Sequence, residues 1–244
     1  MKNQSMEHQN IPTVQKIIQI AGSLSLILAP LLLIMGWGLN YDSLGGFFGA
    51  TFSNPYLTKG EAVPGQELMA TILSPDNGFR FLLLPHYFIY AAMPVLIAVA
   101  LFLAKILFKK APWHALVGAT LTTIGAVYFV GVLGAYLSLP ALAGVPIDPA
   151  NLLLALGAVT APVGILLISI ILSVFVFVGM IVLGFGFYKS KIISRWSASS
   201  IILGSLVILA AAGTENWMVI GSLLLFIGLL PLAIKMLHLE TMEA

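Results

Sequence analysis

Long apolar segments dominate this sequence and restrict what it can fold into. A helix needs about 20 consecutive apolar residues to cross the hydrocarbon core of a bilayer. The sequence offers segments of this kind at about 17–38, 79–107, 113–138, 162–187, 197–213 and 217–237. It therefore predicts an all-α fold, a polytopic transmembrane helix bundle with six spans.

Composition supports a membrane protein and excludes several other classes. Of the 244 residues, 60% are hydrophobic and 8% are charged, whereas soluble domains carry about 25% charged residues. Mean hydropathy is +1.06. With a net charge of only +2 and no basic stripe, the chain lacks the features of a nucleic-acid-binding protein. It also has no cysteine, which rules out disulfides and thiolate chemistry.

The distribution of basic residues predicts the orientation. Cytoplasmic loops of membrane proteins are enriched in Lys and Arg. If the N-terminus is cytoplasmic, nine of the eleven basic residues fall on the cytoplasmic side, and only Lys59 and Arg80 fall outside. Six spans with both termini cytoplasmic, in a bacterial inner (plasma) membrane, satisfy this distribution.

The domain organisation follows from the same segments. Residues 1–16 form a cytoplasmic N-terminal segment, and residues 17–244 form a single six-helix transmembrane domain with a long outer loop, 39–78. Pro162 separates a short interfacial helix from one span, so the region 150–187 is not predicted to cross twice. Aromatic residues are expected to anchor the helix ends at both interfaces; they are Trp37, Tyr41, Trp113, Tyr136, Tyr188, Trp196 and Trp217.

The stretch "RFLLLPHYFIY", 80–90, carries the most unusual polar residues of the spans. Arg80 lies at the outer boundary, and His86 lies about 9 Å deeper at the helical rise. Because an imidazole at that depth is costly in lipid, His86 should face the bundle interior. Tyr90 follows one turn later and is expected on the same face as His86.

Two carboxylates complete the candidate site at the outer mouth. Glu215, in "GTENW", is expected at a depth similar to that of Arg80, which suggests an Arg80–Glu215 ion pair. Asp42 begins the outer loop. Asp42, Arg80, His86, Tyr90 and Glu215 thus form a hypothetical ligand-binding cluster. Four interpretations remain open: a structural polar network, a pocket for a small or amphipathic ligand under loop 39–78, a metal site and an acid–base enzyme.

The residues favour the first two interpretations. No second histidine accompanies His86, and no metal-ligand spacing is visible. No nucleophile–base pair is suggested, so no catalytic residue and no metal ligand is assigned. Mid-span carboxylates, paired histidines for haem and a mid-span lysine for retinal are all absent from the predicted spans. We therefore expect no cofactor, and a coupled pump or channel is disfavoured.

One segment, "GFGFYKSKIISRWSASSIILGSLVIL" at 184–209, resembles a known pattern. Tyr188, Lys189 and Ser190 end one span, and Arg195 and Trp196 open the next. This is similar to a family of uncharacterised bacterial six-helix integral membrane proteins, a domain of unknown function. The resemblance implies a six-helix fold and no particular activity.

These observations favour a non-enzymatic membrane protein. The expected role is a lipid-binding or small-ligand-binding module, or a subunit of a membrane assembly, with membrane lipids, a membrane-protein partner or a second copy as partners. The alternative is a transporter-like protein or an intramembrane enzyme with its site at the outer mouth around Arg80 and His86.

Overall fold

The computed structural model describes residues 11–39, 83–143, 164–210 and 215–241. Within these ranges the regular structure is α-helical, which confirms the all-α prediction for this part of the chain. The helices are α1 Ile11–Leu39, α2 Leu84–Leu107, α3 Pro112–Ala143, α4 Gly164–Ser173, α5 Phe175–Ser190, α6 Arg195–Ala210 and α7 Glu215–Thr241. The outer loop 39–78 and the interfacial helix expected before Pro162 lie outside the described residues.

Five helical segments in the described part of the chain are long and apolar enough to cross a membrane. They are Val14–Leu39, Leu84–Leu107, Pro112–Gly134, Gly164–Ser190 and Asn216–His238. This supports a multi-pass membrane protein. The predicted span 197–213 corresponds to α6, which has 16 residues. At the helical rise these 16 described residues span about 24 Å, compared with the roughly 30 Å of a hydrocarbon core.

Helices α4 and α5 form one candidate span, Gly164–Ser190, with a turn at Val174. Next to this turn, the backbone of Phe175 and Val176 lies directly against Gly125 of α3. The hydroxyl of Thr122 donates to the carbonyl oxygen of Gly118 at 2.9 Å and lies 3.3 Å from that of Val176. The turn is therefore located where two helix backbones touch, and a side chain larger than hydrogen at position 125 would separate them.

The helices pack in chain order around a closed ring. Helix α1 packs on α2, α2 on α3, α3 on α4 and α5, α5 on α6, α6 on α7, and α7 back on α1. Helix α2 also contacts α5 across the ring. The middle is filled by apolar side chains, since Leu26, Met93, Leu96 and Leu103 are at most 1% exposed. Many large apolar side chains point outward instead, as expected for helices solvated by lipid.

Contacts between the helices align their ends. Gln19 of α1 donates its amide to the carbonyl of Met236 of α7 at 2.7 Å. Near the end of α5, Gly186 lies against Leu107 and His114, which flank the turn between α2 and α3. All basic residues of the described helices and turns therefore lie towards one end of the ring, called the basic end below; they are Lys16, Lys105, Lys109, Lys110, Lys189, Lys191, Arg195 and Lys235.

Tryptophans lie near both ends of the ring, but only some of them face outward. Trp113 and Trp196, at the basic end, are 74% and 78% exposed, and Trp217, at the opposite end, is 56% exposed. These positions suit interfacial anchors. Trp37 does not fit that prediction, because it is 6% exposed and its ring stacks on Phe129 with centroids 6.4 Å apart. The indole of Trp37 contributes to the contact between α1 and α3.

Candidate functional site

The first candidate site lies at the start of α2, at the end of the ring opposite the basic end. Pro85 occupies the first turn of α2, where the missing N–H costs no intrahelical hydrogen bond. His86 follows and is 8% exposed. It begins a buried stripe that continues through Ile89 and Met93. The imidazole therefore faces the protein, as expected from its depth.

Tyr90 does not share this buried surface. It is 41% exposed, and Tyr87 is 49% exposed. Around the helix axis, Ile89 lies about 60° to one side of His86 and Tyr90 about 40° to the other. Because Ile89 is buried, the buried stripe lies on its side and leaves Tyr90 on the flank. The prediction that His86 and Tyr90 share one face is therefore wrong. The ring of His86 points into the bundle, and that of Tyr90 points to the outer surface.

Helix α1 closes over the first turn of α2. A methyl group on Gly36 would meet the side chain of Ile89 and would lie 3.1 Å from the carbonyl oxygen of Pro85. Trp37, the next residue, reaches Phe129 of α3. Helix α1 therefore packs directly on the turn of α2 that carries His86. The Trp37–Phe129 pair connects the same part of α1 to α3.

The contacts of the other three predicted site residues, Asp42, Arg80 and Glu215, are not among the described features. Asp42 and Arg80 lie outside the described residues. Glu215 is the first residue of α7, but the structure describes its backbone only. The Arg80–Glu215 pair consequently stays a prediction. Asn216, which the sequence analysis did not single out, has a buried side-chain oxygen without a hydrogen-bond partner among the described residues.

Metal coordination finds no support in the described ranges. Within residues 11–39, 83–143, 164–210 and 215–241, no group of three His, Asp or Glu side chains is close enough to hold a metal ion.

A second candidate site is a groove on the outer surface of the ring, between α2 and α3 at the basic end. This lateral groove has a volume of about 450 Å³, within the range of roughly 300–1,000 Å³ that is common for ligand sites. Its floor is made of small residues, Ala104, Ala115 and Ala119, and Lys105 lies at its edge. Its remaining lining residues are Leu101, Phe108, Leu116, Thr120, Thr123 and Ile124.

Sequence reasoning missed the lateral groove. The signal was present as small residues at a four-residue spacing, Ala115 and Ala119, which lie on one face of a helix. Their partner, Ala104, precedes Lys105 across the turn. Without knowing that α2 and α3 are neighbours in the ring, the sequence gives no reason to combine these positions.

No family model, no curated protein and no solved structure matches the chain. The described residues form a ring of α-helices, several of them long and apolar enough to cross a membrane, which places the chain in the class of multi-pass membrane proteins.

Proposed function

We propose that this protein is a non-enzymatic module of the bacterial inner (plasma) membrane that binds lipid or a small amphipathic ligand, alone or as a subunit of a larger assembly. The lateral groove between α2 and α3 is the observation that carries the proposal. It opens outward on a lipid-facing surface, while the interior of the ring is filled by apolar side chains. A ligand entering from the bilayer would reach the groove without crossing the packed core.

The proposed topology has six spans and both termini in the cytoplasm. Its first support is the place of α6, which lies in the ring between α5 and α7 and packs on both. Only four residues along the sequence, 191–194 and 211–214, separate it from each of these neighbours. Its second support is the basic end, which collects the Lys and Arg residues that the positive-inside rule assigns to the cytoplasm.

The proposed relationship to uncharacterised bacterial six-helix membrane proteins rests on residues 184–209. In the structure this segment is a helix–turn–helix with its basic residues in and next to the turn. Arg195 lies over the ring of Tyr188, 5.6 Å from its centroid, a distance at which cation–π attraction operates. The motif thus has a structural role in joining α5 to α6.

Cysteine labelling tests the topology directly, since the chain has no native cysteine. Lys191→Cys and Trp217→Cys flank α6, and both positions are exposed. In intact cells, a membrane-impermeant maleimide should label Trp217→Cys, and Lys191→Cys should react only after permeabilisation. Labelling of both positions from the same side would overturn the six-span topology.

Native mass spectrometry after mild detergent extraction tests the binding role. The proposal expects the protein to retain lipid, a small ligand or a protein partner in a defined stoichiometry. A bare protein, with no retained molecule and no stabilisation by added lipid, would contradict it.

A second candidate, a transporter-like protein or intramembrane enzyme, draws on one observation, the burial of an ionisable imidazole at His86. Such a protein needs water to reach that residue. A His86→Cys variant treated with a small hydrophilic thiol reagent separates the candidates. Protection favours the binding module, and rapid modification from outside favours the transporter or enzyme.

A further inference from the structure

We propose that the lateral groove between α2 and α3 is a binding site for an anionic phospholipid, with an acyl chain in the groove and the lipid phosphate on Lys105. The inference rests on the proposed lipid-binding role and names the class of lipid and the residue that recognises it.

The shape of the groove suits an acyl chain. Its walls are apolar side chains that project outward: Leu101, Phe108 and Leu116 are more than half exposed. The alanine floor leaves room between these walls. From Leu116 to Ile124 the lining of α3 extends about 12 Å along the helix axis, close to the roughly 15 Å depth of one leaflet of the hydrocarbon core.

The position of Lys105 suits a headgroup. The turn at 108–111 joins α2 and α3, which places Lys105 in the last turn of α2 near the level of His114. Trp113, one residue before His114, is 74% exposed, as an interfacial anchor would be. Lys105 is exposed and lines the groove. Its ammonium can therefore reach the phosphate level while its aliphatic stem covers the groove.

No carboxylate of α2 or α3 can neutralise the charge of Lys105, so an anion that pairs with it must come from elsewhere. The sequence has no Asp or Glu between Asp76 and Asp148, a stretch that contains all of α2 and α3. Lys109 and Lys110 in the adjoining turn add further positive charge. Basic pockets between transmembrane helices on the cytoplasmic side are typical binding sites for anionic headgroups.

The test uses delipidated, full-length protein in detergent. Phosphatidylglycerol and phosphatidylcholine with identical acyl chains are titrated, and bound lipid is counted by native mass spectrometry. We expect phosphatidylglycerol to bind about fivefold more tightly, the effect of one lysine near an anionic headgroup. Lys105→Gln should abolish this preference, whereas Lys109→Gln, in the turn outside the groove lining, should keep most of it.

A second pair of variants tests the groove rather than the charge. Thr120→Trp places a large ring in the groove from an exposed position on α3, and Val127→Trp places the same ring on an exposed position of α3 outside the groove lining. Thr120→Trp should lower the binding of both lipids severalfold, and Val127→Trp should leave it unchanged.

The outcomes separate this inference from the proposed function. Equal affinity for the two lipids, or equal losses in Lys105→Gln and Lys109→Gln, would overturn the anionic site and leave lipid binding intact. Binding of neither lipid would overturn the anionic site and the lipid-binding form of the proposed function. A preference for phosphatidylglycerol that depends on Lys105 and on an open groove would support both.

Discussion

Gly204 of α6 and Gly221 of α7 face each other backbone to backbone. A methyl group on Gly204 would lie 2.6 Å from the carbonyl oxygen of Gly221, and one on Gly221 would lie 2.7 Å from that of Gly204. Both distances are shorter than carbon and oxygen tolerate. Small residues allow such close approach between membrane helices, where packing replaces the hydrophobic effect as the force that joins them. The contact is therefore central to the attachment of α6.

Gly204→Ala should destabilise the protein by about 1–3 kcal/mol, because the added methyl forces α6 away from α7. The measurement is the thermal unfolding midpoint in detergent. Gly134→Ala is the matched control, since a methyl there meets no atom of the described structure within 4 Å. That variant should keep or raise the midpoint, because alanine is the better helix former. Equal midpoints for the two variants would contradict the close contact.

Ser194→Ala should cost about 1 kcal/mol of stability through loss of a helix cap. The hydroxyl of Ser194 accepts a hydrogen bond from the backbone N–H of Ser197 at 3.0 Å, at the start of α6. Ser194→Asp should restore most of the loss, since a carboxylate accepts the same bond. Ser190→Ala is the control: Ser190 donates to the carbonyl of Phe187, which also accepts from the backbone of Lys191. A larger effect of Ser190→Ala would refute the capping role.

Lys191→Gly should raise stability by about 1 kcal/mol. Lys191 has φ of 53°, a left-handed conformation that glycine adopts without the penalty of a Cβ. Lys189→Gly, two residues earlier inside α5, should instead lower stability by a similar amount. Unfolding midpoints of the two variants should therefore move in opposite directions, and a shared direction would argue against the left-handed turn.

Thr122→Val should lower stability by about 0.6 kcal/mol, the average for interhelical polar contacts in membranes. The substitution keeps the side-chain shape and removes the hydroxyl that lies between the carbonyls of Gly118 and Val176. Ser222→Ala removes a hydroxyl that, among the described residues, donates to the carbonyl of Met218 in its own helix, so a smaller change is expected. Detergent-based unfolding titrations measure both, and an equal or larger loss for Ser222→Ala would contradict the interhelical role.

The helix positions were predictable because lipid imposes a length and a polarity on every crossing segment. The spans expected at 79–107 and 113–138 correspond to α2 and α3, with the basic turn between them. The ends of the helices were less predictable. Helix α2 begins at Leu84 rather than at the expected residue 79, and α3 continues to Ala143 rather than ending at 138. An apolar run shows how much chain can enter lipid, whereas the helix end depends on capping and packing that the run does not encode.

The burial of a side chain was predictable only where a single environment suits that residue type. The inward position of His86 followed from the cost of an imidazole in lipid. Trp37 had two acceptable environments, the interface and the interior, and its contact with Phe129 decides between them. The lateral groove depends on which helices are neighbours, and no single segment carries that information.

The ring is closed by its first and last helices. The hydrogen bond from Gln19 to Met236 joins residues 217 positions apart. The other contacts around the circle link helices of one candidate span or of neighbours along the chain, with α4 and α5 counted as one span. A ribosome that builds the chain from its N-terminus exposes α1 to lipid until the last helix emerges. Each earlier helix can dock on its predecessor at once, but α1 must wait for α7. A nascent or truncated product lacking that last segment would present two open flanks, the kind of surface by which a membrane protease can distinguish an unfinished protein from a complete one.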